Sequence, residues 1–407
     1  MTPVPPGIPE SSTVSLKPAA PAPRPLPWND PRTRSITFQV LTAAFLVWFF
    51  WTLFDNTLTN MAHRGIATGF DFLDRTAGFG ILMSLIPYDD TMTYGRTFVV
   101  GLLNTLLVSV LGIVFSTLIG FAVGIARLSR NWLVSRIALV YIETIRNIPL
   151  LLQIFFWYFA VLRTLPGPRQ SLSLGEAAFL NNRGLYVPAP LAEPGFDWVG
   201  LAFVGALIGA IGLARWARRR QQATGQPFPT LATGLGLVIG LPLLVFLALG
   251  APLGFETPAL RGFNFQGGLR LIPELVALTL ALSLYTATFI AEVVRGGILA
   301  VSHGQTEAAS ALGLRPGLTL RLIVLPQAMR VIIPPLTSQY LNLIKNSSLA
   351  TAIGYPDLVA VFMGTSLNQT GQAVEIVGMT MAVYLFISLA ISLGMNWYNS
   401  AMALKER

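Results

Sequence analysis

The chain reads as an all-α polytopic membrane protein with about eight transmembrane helices, and three observations predict this. Hydrophobic residues make up 53% of the 407 and charged residues 11%, less than half of the quarter or so found in soluble domains. The apolar residues gather into runs long enough to cross a hydrocarbon core of about 30 Å, which takes roughly 20 helical residues. The basic residues fall in short clusters between those runs, the arrangement that the positive-inside rule produces. The net charge of +9 therefore reflects membrane topology and does not point to nucleic acid. With no cysteine, disulfides, thiolate metal sites and a cysteine nucleophile are excluded. His63 and His303 are the only histidines, which excludes a histidine metal cluster within one chain.

Residues 1–35, rich in Pro, Ser and Ala, are expected to form a flexible cytoplasmic tail. The first span is residues 36–54, with Trp48 and Trp51 at its far interface; no small-residue cleavage site follows it. Within the mixed outer segment up to residue 96, residues 77–86 are apolar but too short to cross, and an interfacial or packed helix is expected there. Residues 97–126 form the second span, and Arg127, Arg130 and Arg136 mark its cytoplasmic end. The third, residues 137–162, contains Glu143, Arg146, Asn147, Pro149 and Gln153. A hydrophilic outer segment follows from residue 163. Residues 198–214 and 231–250 are two further spans, joined by a loop carrying Arg215, Arg218, Arg219 and Arg220. The sixth span is 272–299; the seventh, 328–344, is expected to be interrupted at Pro334 and Pro335. A partly apolar outer segment precedes the last span, 374–397. Eight spans put both termini in the cytoplasm; a six-span alternative would demote the pair at 198–214 and 231–250.

Residues 301–327, VSHGQTEAASALGLRPGLTLRLIVLPQ, interrupt the apolar pattern most informatively. Ser302 and Gln305 have capping-box spacing for a short helix. Gly313 fits the left-handed position after that helix. Pro316 suits the first turn of a second helix, which Pro326 ends or kinks. Small residues at 308, 309 and 311 allow close approach by something large, so this segment reads as a docking knob outside the bilayer. Glu307, Ala308, Ala309, Gly313, Ile323, Leu325 and Pro326 match EAA-x3-G-x9-I-x-LP at every defined position. The segment thereby resembles the EAA loop of ABC-transporter membrane subunits, which inserts into a groove on the ATP-hydrolysing subunit.

The resemblance extends to Asn104-Thr105-Leu106, to Glu143-x2-Arg146-x2-Pro149-x-Leu151-x-Gln153, and to Phe289 through Gly297. These are similar to the polar amino-acid (histidine/glutamine permease-type) branch of ABC importers. That branch's usual Lys-Asp-Thr-Ser-Leu stands here as Lys345-Asn346-Ser347-Ser348-Leu349, without the carboxylate. The resemblance implies a type I ABC-importer-like permease core, residues 97–162 and 271–407, with a cytoplasmic EAA coupling loop. The first span and outer segment, 36–96, precede that core. Residues 163–270 form an insertion with an outer loop and two extra spans. It is similar to the larger permeases of the general L-amino-acid and the glutamate/glutamine/aspartate/asparagine systems. As expectations, the resemblance supplies an ABC ATPase subunit, a second related permease (a heterodimer, with a homodimer left open), an extracytoplasmic substrate-binding protein and a bacterial inner-membrane location. No G-x4-G-K-[ST] loop is present, so no cofactor is expected on this chain; ATP and magnesium belong to the ATPase.

Charges inside spans need partners or a water-filled path. Glu143 and Arg146, and Glu292 and Arg295, are each three apart on one helix face. They are either packing ion pairs or part of a path for a zwitterionic amino acid. Pro149 breaks the third helix and frees backbone groups, as expected near a membrane substrate site. Gln153 and Asn104 either bond substrate or tie helices together. Lys345 and Asn346 either face a substrate carboxylate or snorkel to the outer interface. An ion-coupled secondary amino-acid carrier is the alternative function, and it would need no EAA loop. An embedded enzyme would need a nucleophile or metal cluster that the sequence does not offer.

Overall fold

The computed structural model describes residues 31–63, 65, 68–175, 177–226 and 228–402, in two compact units, Met1–Ala67 and Thr68–Arg407. The described part of the first unit holds one helix, α1 (Pro31–His63). It carries Phe45, Trp48 and Phe49 in a ladder with centroid spacings of 5.9 and 6.0 Å. Residues 31–35, expected in the tail, already belong to this helix. The rest of the expected tail, and Lys405 and Arg407, lie outside the described residues.

In the second unit, residues 77–86 are not helical, contrary to expectation. Gly78 has φ +70°, and the Gly-Phe-Gly run lowers helix propensity further. Ala77, and before it Phe72, are buried against Tyr94, Leu358 and Phe362, whereas Leu82 and Leu85 are exposed. α2 (Tyr94–Arg127) carries glycines where other helices approach. A Cβ at Gly120 would lie 2.6 Å from the Ile290 Cβ, and one at Gly124 would lie 2.7 Å from the Ala291 carbonyl oxygen. Small residues at such crossings let membrane helices pack by van der Waals contact, where no hydrophobic drive exists between them.

α3 (Trp132–Asn147) begins at Asn131, whose side chain accepts from the amides of Leu133 and Val134. α4 (Leu150–Phe155) runs on as a π-helical turn to Leu162. The third span is therefore two pieces bent by 103°, with the break at Pro149 as expected within residues 137–162. Pro149 lacks an amide donor and pushes Ile148 out of the helical region, to φ −94° and ψ 128°.

The outer segments, read as loops, contain short strands: β1 (Leu172–Leu174), β2 (Ala178–Asn181), β3 (Gly184–Val187) and β4 (Ala189–Ala192). Two helices follow, α5 (Phe196–Thr224) and α6 (Thr230–Ala248). β5 (Leu253–Glu256), β6 (Ala259–Arg261), β7 (Asn264–Gln266) and β8 (Leu269–Leu271) complete the set. An antiparallel sheet runs β1-β2-β3-β8, with β4 paired to β5 and β6 to β7. Phe265 stacks on Phe179 at 4.6 Å and lies 5.0 Å from Tyr186. The arginines at 215 and 218–220 sit on the last turns of α5 and not in a loop. Arginine is a good helix former, so the helix continues through the cluster. The linker is only residues 225–229.

α7 (Pro273–Leu299) is the central helix, buried along most of its length. Leu278 and Leu282 pack with Ile154 and Tyr355 at one end; Ile290 and Val294 pack with Ala328 and Ile332 at the other. α8 (His303–Ala311) and α9 (Pro316–Thr319) follow, then a π turn, Leu320–Val324, leading into α10 (Leu325–Ser347). Pro326 lies in the first turn of α10, so the second knob helix runs into the next span without ending. Pro334 and Pro335 do not interrupt α10, and both are exposed. A π-helical turn (Val359–Ser366), α11 (Leu367–Thr370) and α12 (Ala373–Met402) end the described chain. Among the described residues seven helices are long and apolar enough to cross a membrane, or eight with the bent pair as one span.

Candidate functional site

The sheet and the knob lie at opposite ends of α7, since β8 enters that helix and α8 leaves it. The knob is built by backbone geometry. Gly313 has φ +73°; its amide donates to the Ser310 carbonyl at 2.9 Å, and that of Leu314 to Ala309 at 3.1 Å. This is a Schellman closure of α8. Ser302 does stand at the helix start, but its side chain caps nothing. Its carbonyl accepts the Gln305 amide at 3.0 Å instead, so the expected capping box is absent. Ala309 and Thr319 are buried between the two short helices. Glu307 and Ala308 are exposed, with Leu312 80% exposed and Leu322 60% exposed beside them. Glu307 Oε1 lies 2.9 Å from His303 Nδ1. Ile323 and Leu325 lie in the π turn and at the start of α10, half-buried and exposed respectively, with Pro326 exposed beside them. The knob therefore offers an acid and several apolar side chains to a partner.

The two predicted ion pairs form. Arg146 Nη2 lies 3.3 Å from Glu143 Oε1. Arg295 donates through Nε and Nη2 to Glu292 Oε2 at 3.0 and 2.8 Å. Neither pair is deeply buried within this chain, and the Glu143 side chain is 51% exposed.

Gln153 and Asn104 are committed to backbone. Gln153 Nε2 donates to the Ile145 and Ile148 carbonyls at 2.8 and 2.9 Å, so it satisfies acceptors that the Pro149 break exposes. Asn104 is fully buried and donates to the Met83 and Pro356 carbonyls, both at 2.9 Å. Thr105 Oγ1 accepts the Leu358 amide at 3.0 Å, and Tyr355 donates to the Asn104 carbonyl at 2.9 Å. The Asn-Thr pair on α2 thus ties down residues 355–358. The amide nitrogens of both side chains are thus taken by backbone acceptors.

Lys345 lines a cleft of about 530 Å³ with Ser348, Thr351, Thr380 and Tyr384. Asn346 is half-buried and does not line it. Close by lies Asp357, which sequence reasoning passed over. It is fully buried, its Oδ1 accepts the Ala360 amide at 2.8 Å, and its Oδ2 has no hydrogen-bond partner among the described residues. Burial pushes its carboxyl up to about 7 against the amide bonds that lower it. The available signal was a Pro-Asp pair before an apolar run, which marks a helix start.

The family described as "Binding-protein-dependent transport system inner membrane component" matches residues 223–404. The chain is 58% identical over 382 residues to the putative amino-acid ABC transporter permease protein YhdX of Escherichia coli K12, covering 94% of this chain and 97% of the other. It is 56% identical to the general L-amino acid transport system permease protein AapQ of Rhizobium johnstonii, covering 93% and 94%. It is 43% identical to the glutamate/glutamine/aspartate/asparagine transport system permease protein BztB of Rhodobacter capsulatus, covering 93% and 96%.

Proposed function

The chain belongs to the amino-acid ABC transporter permeases, inner membrane components of binding-protein-dependent transport systems, and from this premise we propose that it moves polar L-amino acids into the cytoplasm. It is a transport subunit and not an enzyme. The substrate class is supported by relatives named for general L-amino-acid and for glutamate, glutamine, aspartate and asparagine transport. A separate ATPase, holding ATP and magnesium, docks at the knob; an external binding protein delivers substrate; a second, related permease completes the path. Glu143, Arg146, Glu292, Arg295, Lys345 and Asn346 are the residues offered to that path. The cytoplasmic side is the knob end of α7, and eight spans would place both chain termini on the cytoplasmic side as well.

One observation carries the coupling assignment: a glycine-closed short helix presents Glu307 and exposed leucines at the end of the most buried helix, α7. A push on α8 is passed to two membrane helices, because α7 enters the knob and α10 leaves it. The test is reconstitution of the permease with its partner chains in proteoliposomes. Uptake should require ATP inside the ATPase compartment and the binding protein outside. Uptake driven by an ion gradient without ATP would return the secondary-carrier reading. A reporter fused near Gln222 should respond only on the cytoplasmic side; a periplasmic signal would overturn the orientation.

A further inference from the structure

At the sheet end of α7, a groove of about 570 Å³ opens between α7 and α2. Leu107, Leu111, Phe115 and Ile119 line one wall. They are spaced by four along α2 and so share one face. Val276 and Leu280 belong to the facing wall on α7. The mouth lies under the sheet, where Leu185 and Leu269 reach in and Arg270 stands at the rim. The wall from residue 107 to 119 is about 18 Å long at 1.5 Å per residue. One leaflet contributes about half of the roughly 30 Å hydrocarbon core. The groove therefore spans the apolar depth of a single leaflet and ends at a guanidinium.

Arg270 is exposed. Its Nε and Nη2 donate to the Arg183 carbonyl at 3.2 and 3.1 Å, and its guanidinium carbon lies 5.9 Å from the centre of the Tyr186 ring. These contacts fix its position without neutralising it. No ion pair among the described residues includes it. Three of its five N–H donors and its whole charge remain for a partner. A cation held at headgroup height above an acyl-length apolar slot matches an anionic phospholipid in both halves.

We propose that this groove is a binding site for an anionic phospholipid, with its phosphate on Arg270 and one acyl chain along the α2 wall. The proposal takes from the functional reading only that these helices cross a bilayer, and its test does not depend on transport.

The purified transporter complex is washed with detergent in steps, and its retained lipid is identified by mass spectrometry. Phosphatidylglycerol should persist after zwitterionic lipids have gone. Arg270→Gln should lower its retention about fivefold, the equilibrium effect of losing one interfacial cation, while Arg270→Lys should keep part of it. Ile119→Trp, which fills the slot, should lower retention of any lipid. Thr279 and Ser283 also face the groove, and their hydroxyls have no partner among the described residues. An acyl chain does not use them, so Thr279→Val with Ser283→Ala should leave retention unchanged. Equal retention in the Arg270→Gln variant would overturn the proposal. So would a photoreactive group at Phe115 that links to another polypeptide, because the groove would then seat a partner helix.

Discussion

Replacing Gly313 by valine isolates a backbone effect, because the added side chain meets nothing. A Cβ built there has no heavy atom within 4 Å, so packing contributes no cost. The conformation does: φ is +73°, and an L-residue in the left-handed region costs roughly 1–2 kcal/mol, with a β-branched one at the upper end. The chain can escape that strain by leaving the left-handed region. It then breaks the Gly313-to-Ser310 and Leu314-to-Ala309 bonds, each worth about 1 kcal/mol net. Either route costs about 2 kcal/mol, equivalent to roughly a thirtyfold shift in the population of the closed knob. The membrane helices do not share this turn, so insertion and association with the second permease should be normal. Co-purification of the ATPase should fall, or its substrate-stimulated hydrolysis should drop, in the reconstituted complex. Gly313→Asn should largely restore both, since asparagine tolerates the left-handed region. Normal ATPase binding and stimulation in the valine variant would refute the coupling argument.

Glu143→Gln should cost little in assembly, because a pair this exposed is worth under about 1 kcal/mol, yet uptake should fall clearly; normal uptake in a well-assembled complex would make the pair a packing feature. Asp357 binds its proton more tightly when folded, so its contribution is full below about pH 4 and declines until about pH 7, the elevated value. A rise of that size, at about 1.4 kcal/mol for each tenfold change in proton affinity, amounts to on the order of 4 kcal/mol. Asp357→Asn should therefore match wild type near pH 4 and unfold at a higher temperature at pH 8, and the same midpoint at both pH values would remove the argument. Gly297→Val should prevent folded accumulation in the membrane, since a Cβ there would lie 2.3 Å from Ile332 Cγ1, and detergent-resistant size-exclusion profiles read this directly.

Features that a few neighbouring residues decide were legible in the sequence. Gly313 and Pro316 punctuate the knob, Pro149 breaks the third span, and the charge pairs close over three residues. Features decided by distant partners were not. β3 pairs with β8 through Leu185 and Leu271, which are separated by two membrane helices, and each strand alone is too short to give a pattern. Asn104 reads as a polar group in a span until Pro356 is beside it. In residues 77–86 the glycines exclude the helix that composition suggested, and only Ala77 is buried. The proline pair in α10 is exposed, which local spacing does not give.

The α5–α6 hairpin leaves and re-enters the rest of the fold through one doorway. β4 and β5 pair from Ala189 with Glu256 to Ala192 with Leu253, so the two strands that bracket the helices lie about 5 Å apart. Among the described residues of the hairpin only Ala206 and Ala217 are buried. A segment attached in this way can be gained or lost by a gene without tearing the bundle, because a short turn across the doorway reconnects the chain. It can also enter the bilayer as a self-paired unit while the ribosome is still making α7. The hairpin thus has the attachment of a cassette, held to the bundle through one pair of strands.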